Sequence, residues 1–571
     1  MIFGENLLKR FNPFWIILAF CGVNLMIMHY YILYSCHMDA ILDVTSFIDN
    51  FLGMGIDIVI LFIILVLVTK NNVKISLCLL FALTWMWSFS NIIYSRFFHH
   101  YLSFSAIGQG NSLFDGVVIR SVVDKVNIWD FFYFIFFLWI VVLIGKTNLK
   151  DINHIKKILL ILCVFILMDV VGHAFYCLCN PQLRYVHYFT HRIFSSHIDM
   201  SVNSSQPIYA NFSRGTIRPI CAEIFIDLHG NIELTDDQVI MINNMIASSR
   251  EMHNVSHIKN PRNLIFILVE SLMSFTSEMK VGNKEVTPFL NSLKNDTSVY
   301  YNGKMIKNVT IGESSDGQFI YMTGLLPLRS VVTVSKANRV TLPGLPKELG
   351  IDSRMIIPTV SSMWNQDEMC RQYGFDNLYT SNDFEGGKYS CLTDEQVFQL
   401  AIQKDMISSQ PFFSVVLTIS MHQPYTEQID SSFPIIDSSL SSELANYLNV
   451  CHYTDRQIEK YFDFLKESGL FNNSLIVIAA DHPVYNPNFG DVNYYIPLFI
   501  VNASGLSNNM WQGECNQLDV YKTLLDLLGS KCEWYGLGCS LLSPNYRNAV
   551  TSDTWKASEW IIMSDFFSKK K

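Results

Sequence analysis

The chain has 571 residues, half of them hydrophobic, a mean hydropathy of +0.24 and a formal net charge of -9. The length exceeds one ordinary domain and the hydropathy is too high for an ordinary soluble enzyme, so part of the chain is expected in a membrane. A negative balance with no basic cluster in the C-terminal half argues against nucleic acid as a partner.

Residues 14–34 are long enough to span a bilayer and carry no formal charge, and 51–69, 75–94, 128–145 and 158–177 follow as further candidates. This predicts a five-helix transmembrane domain over residues 1–179. The first segment does not read as a cleavable signal, because its apolar run is too long and more spans follow. Lys9 and Arg10 precede it, Lys70 and Lys74 flank the second turn, and Lys146, Lys150, Lys156 and Lys157 fill the fourth connection, whereas 35–50 has no Lys or Arg. The basic side is cytoplasmic by the positive-inside rule, and an odd number of spans puts everything after Cys179 outside. Arg96, Arg120 and Lys125 in the third loop reduce that contrast. Asp57, Asp169 and His173 fall inside spans, where they are expected to lie near an interface or to pair with a neighbouring helix. Residues 180–262 read as a polar linker with an amphipathic helix near 236–252.

From 263 to about 545, apolar runs of strand length alternate with amphipathic helical segments such as 444–468 and 517–529, the latter closed by Gly529. Strand, helix and strand in alternation imply an α/β domain with a mostly parallel sheet and right-handed crossovers. A short tail, 546–571, completes the chain. The run 263–269 delivers Glu270 and Ser271 to a strand end; 474–480 ends on Asp481 and His482; 412–420 ends close to His422. In open α/β sheets the chemistry collects at the carboxyl ends of strands. Two acids and two imidazoles there suit Zn²⁺ or Mn²⁺. Residues 312–319, GESSDGQF, place Ser314 and Ser315 between a glycine-containing turn and an apolar segment, where a helix N-terminus could hold an anion. Singly, each of these residues has a plain alternative as a cap, a loop pair or a packed histidine; a shared metal site explains them together. Of the thirteen cysteines, Cys370 with Cys391 and Cys532 with Cys539 are the first disulfides to test if the outer compartment is oxidising.

Taken in order, Glu270 in VESL, KEVTPFLNSL at 284–293, GESSDGQF at 312–319, MWNQDEM at 363–369, His422 in SMHQPY and ADH at 480–482 resemble the lipoteichoic acid synthase group of membrane sulfatase-like enzymes, in the alkaline phosphatase superfamily. The resemblance runs from the N-terminal helices to about residue 530. It implies a multi-pass membrane domain followed by an extracytoplasmic sulfatase-like domain of alkaline phosphatase type, in the plasma (inner) membrane. It also implies a nucleophile at Ser314, where the family usually has Thr, and a Mn²⁺ or Zn²⁺ ion held by Glu270, Ser314, Asp481 and His482. Trp364, Asn365 and Gln366, with His422, fall where such enzymes hold the polar headgroup. The family pattern there is Trp-Asn-Arg, so Gln366 replaces a fixed charge by an amide; Arg371 or Arg339 could supply that charge from elsewhere. The C/S-x-P-x-R segment from which sulfatases proper make formylglycine is absent.

The implied reaction moves phosphoglycerol from the membrane phospholipid phosphatidylglycerol, through Ser314, to a cell-envelope glycan, glycolipid or polymer acceptor. Phosphoethanolamine transfer from phosphatidylethanolamine is the runner-up, because Gln366 breaks the phosphoglycerol-type pattern. A phosphodiester hydrolase and a membrane-anchored binding protein that merely keeps the fold are the other classes; four filled metal positions count against the last.

Overall fold

The computed structural model describes residues 13–35, 44–98, 101–102, 126–146, 231–250, 262–329, 331–385, 391–503 and 510–570, with isolated residues at 160, 162, 164 and 215. These fall into two compact units, one N-terminal and one built mainly from residues 231–571.

In the N-terminal unit the helices Pro13–Ser35, Val44–Val68 and Val73–Phe98 pack on one another, and Ile128–Lys146 packs on the third. The first three are long and apolar enough to cross a membrane; the apolar part of the fourth, Ile128–Val142, is shorter. The expected span 158–177, with Asp169 and His173, lies outside the described residues apart from single positions. Many large apolar side chains face outward, among them Leu67, Val68, Met86, Trp129 and Phe131, as a lipid environment requires of a helix surface. Polar groups turn inward instead. Asp57 is buried among the helices, and Arg96 grips Asp130 with both arms at 2.6 and 2.9 Å. A bidentate pair of this kind keeps two charges satisfied where water is scarce.

The second unit is organised by an eight-stranded sheet: β1 (Asn263–Val269), β2 (Tyr300–Ile306), β3 (Asp352–Ile356), β4 (Asn377–Tyr379), β5 (Phe412–Leu417), β6 (Ser474–Ala480), β7 (Ile496–Val501) and β8 (Cys515–Asn516). The spatial order is β8-β2-β7-β6-β1-β5-β3-β4. All neighbours are parallel except β7, which runs against β6 and β2. The central strands β1, β5 and β6 are buried along their full length, which explains why their sequences are continuous apolar runs rather than alternating ones. Strand β5 stops at Leu417, short of the expected 420, because Asp394 captures the amides of Ile419 and Ser420 at 2.8 and 2.9 Å.

The helix Gln517–Leu528 ends on Gly529 in the left-handed conformation, and Ser442–Glu467 supplies the long amphipathic helix. Asp236–Ser249 carries a full capping box at Thr235 and Gln238 and packs with the C-terminal helix Ser552–Ser564, where Ile232 N donates to Met563 O at 2.9 Å. The expected disulfides do not form. Cys370, Cys532 and Cys539 are free thiols, and the thiols of Cys370, Cys391, Cys532 and Cys539 face backbone carbonyls of their own neighbourhoods, at 3.9, 3.5, 3.1 and 3.8 Å.

Candidate active site

Strand register assembles the site. Val269 pairs with Ala480 and Leu268 with Leu417, so the residues that follow, Glu270, Asp481 and Thr418, emerge side by side at one edge. Backbone bonds continue past the strands, Asp481 N to Val269 O at 3.2 Å and Thr418 N to Leu268 O at 3.1 Å. The Thr418 hydroxyl accepts from Glu270 N at 3.0 Å. Beyond Glu270 the chain turns sharply at Ser271, whose φ of 54° lies in the left-handed region. Its amide donates to Asp481 Oδ1 at 2.8 Å and its hydroxyl to Glu270 Oε1 at 2.7 Å. Tyr447 holds the turn, donating to Ser271 O at 3.0 Å and accepting from Met273 N at 3.2 Å.

The fourth component arrives on the helix Ser314–Thr323. Tyr321 helps seat this helix, its ring 5.1 Å from that of Phe266 and its hydroxyl donating to Ala480 O at 2.8 Å. Gly317 is required for the approach, since a Cβ there would come within 2.7 Å of the Asp481 carbonyl. Ser314 Oγ thereby lies 3.2 Å from Glu270 Oε2 and 3.1 Å from His482 Nε2. Ser315 points elsewhere, its hydroxyl donating back to Gly312 O at 2.8 Å.

His482 sits 3.5 Å from Glu270 and 3.8 Å from Asp481, and the ligand-capable atoms of the three lie within 4.8 Å of one another. Burial would depress the imidazole, but the charges of Asp481, Glu313 and Glu270 outweigh it and raise its pKa to about 9. Burial, joined by repulsion from Glu270, pushes Asp481 up to about 7. A buried cluster of acids relieved only by a protonated imidazole is what a divalent cation would neutralise. The donor set also fits. His482 Nδ1–H donates to Pro483 O at 3.1 Å, which leaves Nε2 as the ligating nitrogen of the neutral ring, the arrangement usual for metal-bound histidine.

His422 follows β5, its Nδ1–H donating to Gln423 O at 2.6 Å. Burial lowers its pKa, and the charge of His482 adds to that effect, so the two rings are within electrostatic reach. Trp364 and Asn365 both have φ of 52° and are partly exposed; Gln366 is buried. Gln366 Nε2 donates to Gln318 Oε1 at 3.0 Å, one turn after Ser314 on the same helix face, while Gln366 Oε1 is buried with no hydrogen-bond partner. The exposed guanidinium of Arg371 pairs with Glu368 at 2.5 Å.

Several residues that shape the site lie outside the sequence reading. Asp316, fully buried, accepts from Thr310 N, Thr310 Oγ1, Gly312 N and Thr333 Oγ1 at 2.8 to 3.0 Å and so pins the loop before Ser314. Gln517 Nε2 donates to Asp481 O at 2.6 Å. Glu313 and Lys307 flank His482 and Tyr485. Asp316 and Glu313 stand inside the GESSDGQF motif and could have been found as acids bracketing Ser314; Ser271 was legible only as the residue after a strand end and Gln517 only as the start of a helix, because their contacts with Asp481 carry no signal in the sequence.

The Sulfatase family model matches residues 262–530, and the lipoteichoic acid synthase N-terminal domain model matches 4–193. By these two matches the chain is similar to membrane-anchored, lipoteichoic-acid-synthase-like members of the sulfatase family. Lipoteichoic acid synthase 2 of Bacillus subtilis (strain 168) is 27% identical over 491 residues, covering 81% of this chain and 73% of the relative. The lipoteichoic acid synthase of Staphylococcus aureus (strain USA300) is 25% identical over 517 residues, covering 82% and 75%. A solved lipoteichoic acid synthase from Listeria monocytogenes superposes with a TM-score of 0.45 at 22% identity, over 52% of this chain and 81% of that one. The protein is an enzyme, and a multi-pass plasma-membrane protein whose catalytic domain is extracellular.

Proposed function

We propose that this sulfatase-like enzyme transfers a phosphoglycerol unit from phosphatidylglycerol to a hydroxyl of a cell-envelope glycan, glycolipid or growing polymer, through a covalent adduct on Ser314. The observation that carries the reading is the position of Ser314 Oγ, within hydrogen-bond reach of both Glu270 and His482 and beside Asp481. The similarity to lipoteichoic acid synthases supports this substrate class. Glu270, Ser314, Asp481 and His482 would hold a divalent cation, Mn²⁺ or Zn²⁺. Such an ion, when bound, lowers the pKa of a coordinated hydroxyl and neutralises charge on phosphoryl oxygens.

Ser314 Oγ forms a bond to phosphorus while the bond from phosphorus to the diacylglycerol oxygen breaks. The Ser314 proton leaves and the departing oxygen gains one. His422 is suited to this relay, because its Nδ1–H is committed to Gln423 O and Nε2 of the neutral ring can accept. The N-terminal amides of the helix Ser314–Thr323 add a partial positive charge beside the phosphoryl group. In the second step an acceptor hydroxyl attacks the same phosphorus, the Oγ–P bond breaks, and Ser314 is regenerated. Gln366 Oε1, buried and lacking a partner, is an acceptor suited to a hydroxyl of the headgroup.

The same amide oxygen would also take an ammonium, which keeps phosphoethanolamine transfer as the second reading. The test is incubation of the purified full chain with labelled phosphatidylglycerol and phosphatidylethanolamine in parallel, scoring diacylglycerol. Release from the first is expected; release from the second alone selects the other reading, and release from neither with metal bound overturns both.

A further inference from the structure

Glu313, the residue immediately before Ser314, has φ 43° and ψ -111°. That is the mirror image of an ordinary extended conformation, open to glycine and strained for any residue with a Cβ. Acidic residues are common at this position as helix caps, but Glu313 makes no side-chain capping bond. Its carboxylate turns the other way. Oε2 is buried without a hydrogen-bond partner and lies 3.7 Å from His482 Nδ1, on the side of the ring opposite the nitrogen that faces Ser314. Lys307 lies close enough for its charge to couple to Glu313, and its ammonium sits 4.2 Å over the Tyr485 ring. Backbone strain in a well-packed site persists where surrounding contacts over-determine it, and is most informative where function occupies the same atoms.

We propose that Glu313 is a positioning residue: its carboxylate charge, 3.7 Å from the Nδ1 whose proton goes to Pro483 O, favours the ring orientation in which Nε2 aims at Ser314 and the metal position, and the strained backbone at 313 is what puts the carboxylate there. A glycine would relax the turn and lose the hold. The inference rests on the reading of Glu270, Asp481 and His482 as metal ligands, and a carboxylate behind a ligating imidazole is known in general to tune metal affinity by 10- to 100-fold.

The experiment compares the full chain in detergent with Glu313→Gln, Glu313→Ala and Glu313→Gly, measuring the melting temperature after chelation and Mn²⁺ affinity by titration. Alanine and glycine both remove the carboxylate, so their difference isolates the backbone. At an unstrained site Gly melts below Ala; here Glu313→Gly is expected to melt about 2 to 4 °C above Glu313→Ala. Mn²⁺ affinity is expected to fall about tenfold or more in all three variants. A glycine variant melting at or below the alanine variant overturns the strain account, and a glutamine variant binding Mn²⁺ as tightly as the wild type overturns the positioning role. If the wild type itself bound neither Mn²⁺ nor Zn²⁺, the metal reading would fall first and this proposal with it, a result distinct from either of the others.

Discussion

The site has two ends built by different means. At one, Glu270, Asp481 and His482 sit at the tips of two adjacent parallel strands whose pairing fixes them to one another, and Ser314 is brought in by a helix that only a glycine at 317 allows so close. At the other, Trp364, Asn365 and Gln366 lie on a short turn with two consecutive left-handed residues, linked to the nucleophile helix by an amide pair, Gln366 to Gln318. The difference teaches where chemistry and selectivity can vary independently. A sheet register shifted by one residue would move every tip side chain to the wrong face, so the reacting end tolerates little; a turn outside the sheet, closed by its own backbone bonds and linked to the Ser314 helix through Gln366 and Gln318, can change its exposed side chains without disturbing the strands.

The sharpest way to break the comparison is at the strand tips. Glu270→Ala, Asp481→Ala or His482→Ala should each lose bound metal and lower diacylglycerol release by about 10³-fold or more, because several kcal/mol of transition-state stabilisation depend on a site with no spare ligand. Metal content and turnover are measured together; an Asp481→Ala protein with full occupancy would show that the ligands are elsewhere. Next in size is the nucleophile. Ser314→Ala should abolish release and Ser314→Thr should retain it. Ser315→Ala should stay within about tenfold of wild type, since its hydroxyl only donates to Gly312 O and such a bond is worth about 1 kcal/mol. Mass spectrometry of the Ser314 peptide during turnover should find a phospho-alcohol adduct whose mass names the headgroup.

At the turn, effects should be smaller and of another kind. Gln366→Ala removes one polar contact with the donor, so KM for the phospholipid should rise about 5- to 20-fold, as for a hydrogen bond of 1 to 2 kcal/mol, with kcat little changed. An equal loss in kcat would mean that Gln366 acts through Gln318 on the nucleophile helix, and the two ends would no longer be separable.

The same division explains what was legible in the sequence. The strands carrying Glu270 and Asp481 were readable to the residue, because a fully buried parallel strand is a continuous apolar run that stops where polar chemistry begins. Ser314 needed the motif as well, since a serine opening a helix is ordinarily a cap. The carboxylate of Glu313 behind His482 and the sharp turn at Ser271 were not readable, because each depends on a positive φ that no pattern of side-chain polarity encodes. Strand β5 was read too long for a similar reason: Asp394, from a distant helix start, takes the amides that would have continued it. The disulfides failed because sequence proximity says nothing of where a thiol points.

The smallest effect separates acids of the reacting end from buried acids that only hold the fold. Asp455 accepts the amides of Phe289 and Leu290, both at 2.9 Å, at the start of the helix Pro288–Lys294. Burial pushes its carboxyl up from an ordinary 3.8 to about 7, against those two bonds and with help from Glu459 and Glu285; Asp481 reaches a similar value at the site. Between about pH 4 and 7 the unfolded chain has lost the Asp455 proton while the folded chain keeps it. The folded state then binds more protons, and stability falls as pH rises through that window before levelling off. One proton limits the slope to about 1.4 kcal/mol per pH unit. Asp455→Asn should flatten the urea-unfolding profile of the outer domain by up to that amount. Added Mn²⁺ should leave the Asp455 component intact, because no metal competes for that carboxyl. If Mn²⁺ erased the difference between Asp455→Asn and wild type, the two acids would be coupled through the domain, and the reacting end could not be treated as a unit set apart from the fold that carries it.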